Sequence, residues 1–208
     1  MDAKLSKKRR SFWLKELHRW HWISSAICLV GTLLFAVTGI TLNHAGSIES
    51  RPAVTTRNAE APPDVQAALR AGPGTGKAAL PQAVSTWLDR TLGIRTAGRD
   101  AEWQSAEVYV ALPRPGGDAW LTVDRQDGAV LYERTERGWI SWLNDLHKGR
   151  NTGLGWTIFI DVFAVACLVF CLTGLWLLQL HSHNRPSTWP LVGFGLAVPI
   201  VLLVLFVH

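Results

Sequence analysis

Between residues 22 and 42 the chain runs for 21 positions without Asp, Glu, Lys or Arg. An apolar run of about 20 residues is what a hydrocarbon core roughly 30 Å thick requires of a crossing helix, and a buried soluble helix is rarely that long. Two later stretches, 162–180 and 189–207, lack the same four residue types for 19 positions each. Backbone N–H and C=O groups find no water in lipid, so each stretch must be helical. The predicted fold class is an α-helical membrane protein with three transmembrane helices and a small extracytoplasmic α+β domain between helices 1 and 2. The predicted division is a basic cytoplasmic amino terminus (1–17), transmembrane helix 1 (18–44), the extracytoplasmic domain (45–138), an interfacial helix and loop (139–153), transmembrane helix 2 (154–181), a cytoplasmic loop (182–188) and transmembrane helix 3 (189–208).

Charge sets the orientation. Three crossings place the termini on opposite sides, and basic residues near span ends stay in the cytoplasm. Lys4, Lys7, Lys8, Arg9, Arg10, Lys15 and Arg19 precede the first span, whereas segment 45–160 balances thirteen basic against thirteen acidic residues. The expected location is therefore a bacterial inner membrane, multi-pass, with the amino terminus cytoplasmic and the soluble domain periplasmic. With the basic excess gathered at one membrane flank, the net charge of +5 points to the lipid bilayer as a partner and away from nucleic acid. The first apolar segment is too long for a cleaved signal peptide and ends without a small-x-small site, so it reads as an uncleaved anchor. Eight of the eleven Trp fall near span ends, where amphipathic rings prefer to lie. Cys28, Cys167 and Cys171 all lie within spans, which leaves no disulfide framework outside and favours apolar filling.

After His44 the chain becomes polar. Pro52, Pro62, Pro63 and Ala71-Gly72-Pro73-Gly74-Thr75-Gly76 read as a linker. Residues 79–92 have helical spacing, with Gly93 as the carboxy-terminal cap. The period then drops to two over 106–112, 119–123 and 129–132, which read as strands. One helix and three strands make a small α+β unit, and with neither His nor Cys between 45 and 138 it offers no catalytic constellation. Residues 139–147, W-I-S-W-L-N-D-L-H, are amphipathic and predict an interfacial helix that holds His147 at the outer surface.

Six of the seven histidines fall at predicted membrane interfaces: His44 and His147 outside, and His18, His21, His181 and His183 inside. His18 and His44 are separated by roughly 39 Å of helix at about 1.5 Å per residue, which sets them at opposite faces. On an ideal wheel at about 100° per residue, His18 lies roughly 80° from His44 and His21 roughly 140°, so His18 better shares a side with His44. Imidazoles paired from two helices at one depth suit a haem iron. A lone interfacial histidine instead meets headgroups and water, and His181-Ser182-His183 with His18 and His21 would make a zinc or copper set, although no carboxylate or thiolate stands beside them. Without a Cys-x-x-Cys-His motif, any haem is of the non-covalent b type. Asp161 lies about six residues into the second span, and an intramembrane acid costs on the order of 2.5 to 3.5 kcal/mol at mid-helix and seeks a partner. Arg150, or a ring N–H of His44 or His147 that Asp161 would orient from behind, are candidates; a helix-end hydrogen bond to Ser or Thr is the alternative.

Leu17-His18-Arg19-Trp20 opening the first span, Val37-Thr38-Gly39-Ile40-Thr41-Leu42-Asn43-His44 closing it, Leu146-His147-Lys148-Gly149-Arg150 before the second, and Asp161 with Leu172-Thr173-Gly174-Leu175-Trp176 within it resemble the PepSY-associated transmembrane helix family. The soluble helix followed by strands ending V-D-R-Q-D-G-A-V-L also looks like a PepSY domain. The wider family includes inner-membrane ferric-siderophore reductases with two b haems stacked across the membrane. The resemblance thus implies haem b, one or two copies, with haem iron held by histidine: His44 and His147 as outer ligands, His18 as an inner ligand, and His181 or His183 as its partner by position. It implies a membrane b-type haem protein passing electrons to an extracytoplasmic acceptor, ferric iron or a ferric siderophore, as a ferric reductase or an electron-transfer subunit. This chain has three spans where the larger reductases have four or more, and one soluble unit where theirs is duplicated. No Gly-rich dinucleotide fingerprint opens a strand-to-helix turn, so the expected electron donor is a quinol or another redox protein. The competing expectation is a haem-free, membrane-anchored PepSY-type binding or regulatory protein. The third span carries no polar site and is expected to pack against its neighbours or to pair two copies in a homodimer.

Overall fold

The computed structural model describes residues 2–48 and 51–207. They divide into two compact units, Met1–Leu34 with Ile158–His208, and Phe35–Thr157. The described elements are helices α1 (Asp2–Asn43), α2 (Pro63–Arg70), α3 (Gln82–Leu92), α4 (Trp139–Lys148), α5 (Leu154–His181) and α6 (Thr188–Phe206), with strands β1 (Ala53–Glu60), β2 (Gly76–Ala79), β3 (Asp100–Trp103), β4 (Glu107–Ala111), β5 (Gly117–Asp124) and β6 (Ala129–Glu136).

Three helical stretches are long and apolar enough to cross a membrane, Lys8–Asn43, Leu154–Asn184 and Thr188–Phe206. α1 is unbroken from Asp2, so the basic amino-terminal segment is helical and continuous with the first span. In the first unit, α1 approaches α5 through small residues, as close helix contact in lipid requires. Ser24 and Cys28 are buried there. The Ser24 hydroxyl donates to the Trp20 carbonyl at 2.7 Å, and a side chain at Gly31 would run into the ring of Phe163. α6 is apolar throughout; near its start Trp189 Nε1 donates to Gln179 Oε1 at 2.9 Å.

In the second unit the six strands form one antiparallel sheet in the order β1-β6-β5-β4-β3-β2. Alternation in β4 and β5 turns Val108, Val110, Leu121 and Val123 to one face, where they are buried with Val65 and Leu69 of α2 and Val84 and Leu88 of α3. Gly93 caps α3 in a left-handed conformation, φ 67°, as its position predicts. The stretch read as a linker is instead structured, for it contains β1, α2 and β2. β1 is an edge strand with seven of its eight residues exposed, so burial never imposed an apolar period on it, and β2 is a four-residue edge. The loop between α2 and β2 is fastened by Arg125. This guanidinium, only 8 % exposed, donates to the carbonyls of Gln104 (2.8 Å), Gly74 (3.2 Å), Gly72 (3.3 Å) and Arg70 (3.5 Å) and lies 5.3 Å from the Trp103 ring centroid. At the turn into β6, backbone N–H groups of Gln126 and Asp127 hold the Asp124 carboxyl below the usual carboxylate range.

Candidate functional site

The position of His147 is set by α4. Gly138 enters that helix at φ 86°, ψ 174°, a backbone region essentially confined to glycine. Two buried side chains then fix the helix on opposite sides. The Asp145 carboxylate accepts the Gly116 N–H at 2.8 Å and has Arg150 Nε at 4.0 Å, while Asn144 Oδ1 accepts the Thr41 hydroxyl at 2.8 Å. The acid of this amphipathic helix is thus turned into the protein. His147 projects onto α1, with Nδ1 2.7 Å from Thr38 Oγ1 and its ring centroid 5.0 Å from that of Phe35. A Cβ on Gly39 would lie 3.6 Å from its Cε1.

The first unit repeats this arrangement. His21 of α1 has Nδ1 3.0 Å from Thr173 Oγ1, stacks on Phe170 at 5.0 Å, and would meet a Cβ on Gly174 at 3.2 Å. The two cradles share one sequence, F-x-x-T-G, at 35–39 and 170–174. Both Thr-Gly pairs stand out in the sequence; the preceding Phe and the shared spacing are the signal that identifies them as seats for an imidazole.

Hydrogen bonding holds Nδ1 of five of the histidines. The Thr38 hydroxyl also lies within hydrogen-bond reach of the Phe35 carbonyl, at 3.2 Å, and that of Thr173 within reach of the Val169 carbonyl, at 2.7 Å. Each Oγ1 is thus placed to hold the Nδ1 of an imidazole, His147 on Thr38 and His21 on Thr173. Three more histidines place Nδ1 against a carbonyl four residues back, which can only accept: His18 on Leu14 at 2.8 Å, His44 on Ile40 at 3.0 Å and His181 on Leu177 at 2.8 Å. All five rings thus have Nδ1 engaged and Nε2 on the far edge, the nitrogen a metal ligand would use.

His18 and His181 come from different helices and face each other, with ring centroids 6.5 Å apart and planes at 88°. Beside them a cavity of about 600 Å3 is lined by His21, Gly174, Leu177, Leu178, His181 and Arg185, among others, within the range of about 300–1,000 Å3 typical of small-molecule sites. His183 lies in a short 3-10 turn, Ser182–Asn184, and is exposed. At the other end of α1, His44 is exposed just past the helix. His147 meets that helix at Thr38, six residues and roughly 9 Å of helical rise earlier, and the two rings make no contact among the described residues. Arg150 pairs with Asp145 through both its guanidinium and its N–H, the latter 2.9 Å from the Asp145 carbonyl. Asp161 is exposed on α5 and has no hydrogen bond or ion pair among the described residues. No group of three or more His, Cys, Asp or Glu is gathered around a metal-sized site among the described residues, so the multi-histidine zinc or copper set is not assembled.

Three apolar helices with an antiparallel-sheet domain inserted between the first two are the architecture of a multi-pass membrane protein carrying one α+β unit outside the spans. Within that class, the family model for PepSY_TM-like proteins matches residues 12–208, and the chain belongs to that family. No curated protein and no solved structure matches it.

Proposed function

We propose that this protein is a b-type haem protein of a bacterial inner membrane that passes electrons to an extracytoplasmic acceptor, ferric iron or a ferric siderophore. The observation that carries the reading is the common orientation of five imidazoles, each with Nδ1 in a hydrogen bond and Nε2 on its far edge. A metal-ligating histidine is held by a hydrogen bond at its other ring nitrogen, and five held alike suit a ligand set. The residues of the inner pair fit the group. His18 and His181 would hold an inner haem, flanked by His21, apolar Leu177 and Leu178, and Arg185 as a counter-charge for carboxylates. His44 and His147 would serve the outer one. Bound haem supplies a one-electron ferric/ferrous couple.

The chain's own part is orientation. Thr38 and Thr173 fix the ring planes of His147 and His21, Phe35 and Phe170 wall them, and Arg150 acts through Asp145 to hold α4 and thereby His147. The amino terminus is assigned to the cytoplasm on its basic flank, the electron donor to a quinol or a redox protein. A haem-free binding role draws support from the sheet face without helices, where Tyr109 and Trp120 stack at 6.3 Å.

Absorption spectroscopy separates the two readings. Protein expressed with haem supplied and purified in detergent is expected to show a Soret band and a dithionite-reduced α band, at one or two haems per chain. H181A is expected to remove one haem while leaving the signal that depends on His147, and H147A the reverse. A chain without a Soret band would sink the haem reading and leave the binding role.

A further inference from the structure

β1 is the outermost strand on one side of the sheet and pairs with β6 alone. Seven of its eight residues are exposed, and its outer side makes no backbone hydrogen bond among the described residues. Proteins blunt such an edge with Pro, Lys, a bulge or sheer brevity. The opposite edge, β2, is short, at four residues. β1 is not: its pairs with β6 run in unbroken register from Ala53↔Glu136 to Glu60↔Ala129, and its sequence, A-V-T-T-R-N-A-E, holds neither Pro nor Lys. Its one base, Arg57, is turned under the sheet, where Nη1 donates to the Leu92 carbonyl at 3.0 Å. A row of unpaired backbone groups is thus left open to another strand.

Register determines which side chains such a strand would carry, because opposed residues share a face and successive ones alternate. Val54, Thr56, Asn58 and Glu60 stand beside Thr135, Glu133, Leu131 and Ala129, and through them beside Asp118, Trp120 and Thr122 of β5, on the face without helices. Among the strand residues of that face every charge is an acid except Lys77, which Glu102 pairs at 3.2 Å. Glu60 and Glu133 lie on the two strands nearest the open edge, and neither has an ion pair among the described residues. The other face differs. Under β1 a cavity of about 320 Å3 is lined by Thr55, Arg57, Leu92, Tyr132, Arg134 and Glu136, among others. Glu136 is already shared by Arg134 and Arg114, and Arg134 Nε is buried without an acceptor among the described residues. A base entering there would meet two guanidiniums, whereas an uncharged acceptor would not.

We propose that β1 receives an extended segment of another protein as a seventh strand of the sheet, a segment that alternates basic with uncharged residues. Its basic side chains lie on the helix-free face toward Glu60 and Glu133, and its uncharged ones lie over the cavity. Backbone bonds to β1 supply the affinity and the alternation supplies the specificity. Charge selects this occupant over a second copy of the chain, whose β1 would bring no Lys and an Arg57 held by Leu92, and so no base for the two acids. The surface shares no residue with the proposed haem ligands, so the inference stands apart from the haem reading.

The test uses full-length protein in an uncharged detergent and the fluorescence anisotropy of a labelled probe, Lys-Thr-Lys-Thr-Lys-Thr-Lys. A blocked peptide, Lys-Lys-Lys-Lys-Thr-Thr-Thr, keeps the composition without the alternation, and a fully N-methylated form of the probe keeps the side chains without the backbone donors. Wild-type protein is expected to bind the probe more tightly than the blocked peptide, and the N-methylated form at least about tenfold more weakly than the probe, as the loss of several backbone bonds requires. E60Q/E133Q is expected to weaken the probe about fivefold, the loss of two exposed ion pairs, with an unchanged circular dichroism spectrum. E60Q alone, at the exposed end of β1, is expected to weaken it about twofold and serves if the double variant misfolds. Equal binding of probe and blocked peptide, or full binding of the N-methylated form, would show charge attraction without strand pairing and overturn the proposal. Absence of binding overturns it too, as does a protein dimer that the probe splits, which gives the edge to a second copy. Haem content is not read, so these outcomes leave the electron-transfer reading untouched.

Discussion

Thr38 and Thr173 each set one hydroxyl between two partners: a carbonyl of their own helix and the Nδ1 of an imidazole from another. Removing the hydroxyl while keeping the shape isolates the second role. T38V is expected to leave the His147 Nδ1 without its hydrogen-bond partner and to lower thermal stability by about 1–2 kcal/mol, the cost of a stranded polar group, whereas T38S retains the bond. T173V should do the same for His21, and melting curves of the four variants check both. The histidines, and the Thr-Gly pairs near them, are conspicuous in the sequence. Their tautomers are not, because an N–H to the carbonyl four residues back depends on a rotamer that spacing does not fix. Helix-wheel angles likewise favour His18 over His21 as the partner of His44, yet they give no hint that His21 has its own seat on α5.

At the scale of elements, period and punctuation foretold α3 with its Gly93 cap, β4 through β6 and the amphipathic α4, since each buries one face of a regular pattern. β1, α2, β2 and β3 went unseen for a physical reason. β1 is exposed almost throughout, α2 is eight residues long behind two prolines, and β2 and β3 are four residues each. Prolines and glycines at 62–76 mark turns between these pieces, not a loose connection. The residue that orders them is Arg125, from the far side of the sheet in sequence. R125M, which keeps the aliphatic stem and removes the donors, is expected to destabilise the soluble unit by about 2–3 kcal/mol. Hydrogen exchange should report it first in residues 70–76, whose carbonyls lose their common partner.

The whole molecule was most legible where solvent dictates composition. Charge-free runs revealed all three apolar helices, because lipid tolerates little else, and the basic flank of α1 supplied an orientation. That orientation is tested by trypsin added to intact spheroplasts: cleavage is expected at exposed Arg and Lys between residues 51 and 150, while an epitope at the amino terminus survives until the membrane is permeabilised. The reverse pattern would invert the proposed topology. One small element gains importance at this scale. α4 is joined to the β4–β5 turn through Asp145 and Gly116, to the end of α1 through Asn144 and Thr41, and it carries His147 in its last turn. Turning that imidazole with the sheet loads both bonds, of which the one from Gly116 to Asp145 is buried. The soluble unit is therefore geared to a single ring, and whatever grips the domain also has a lever on His147.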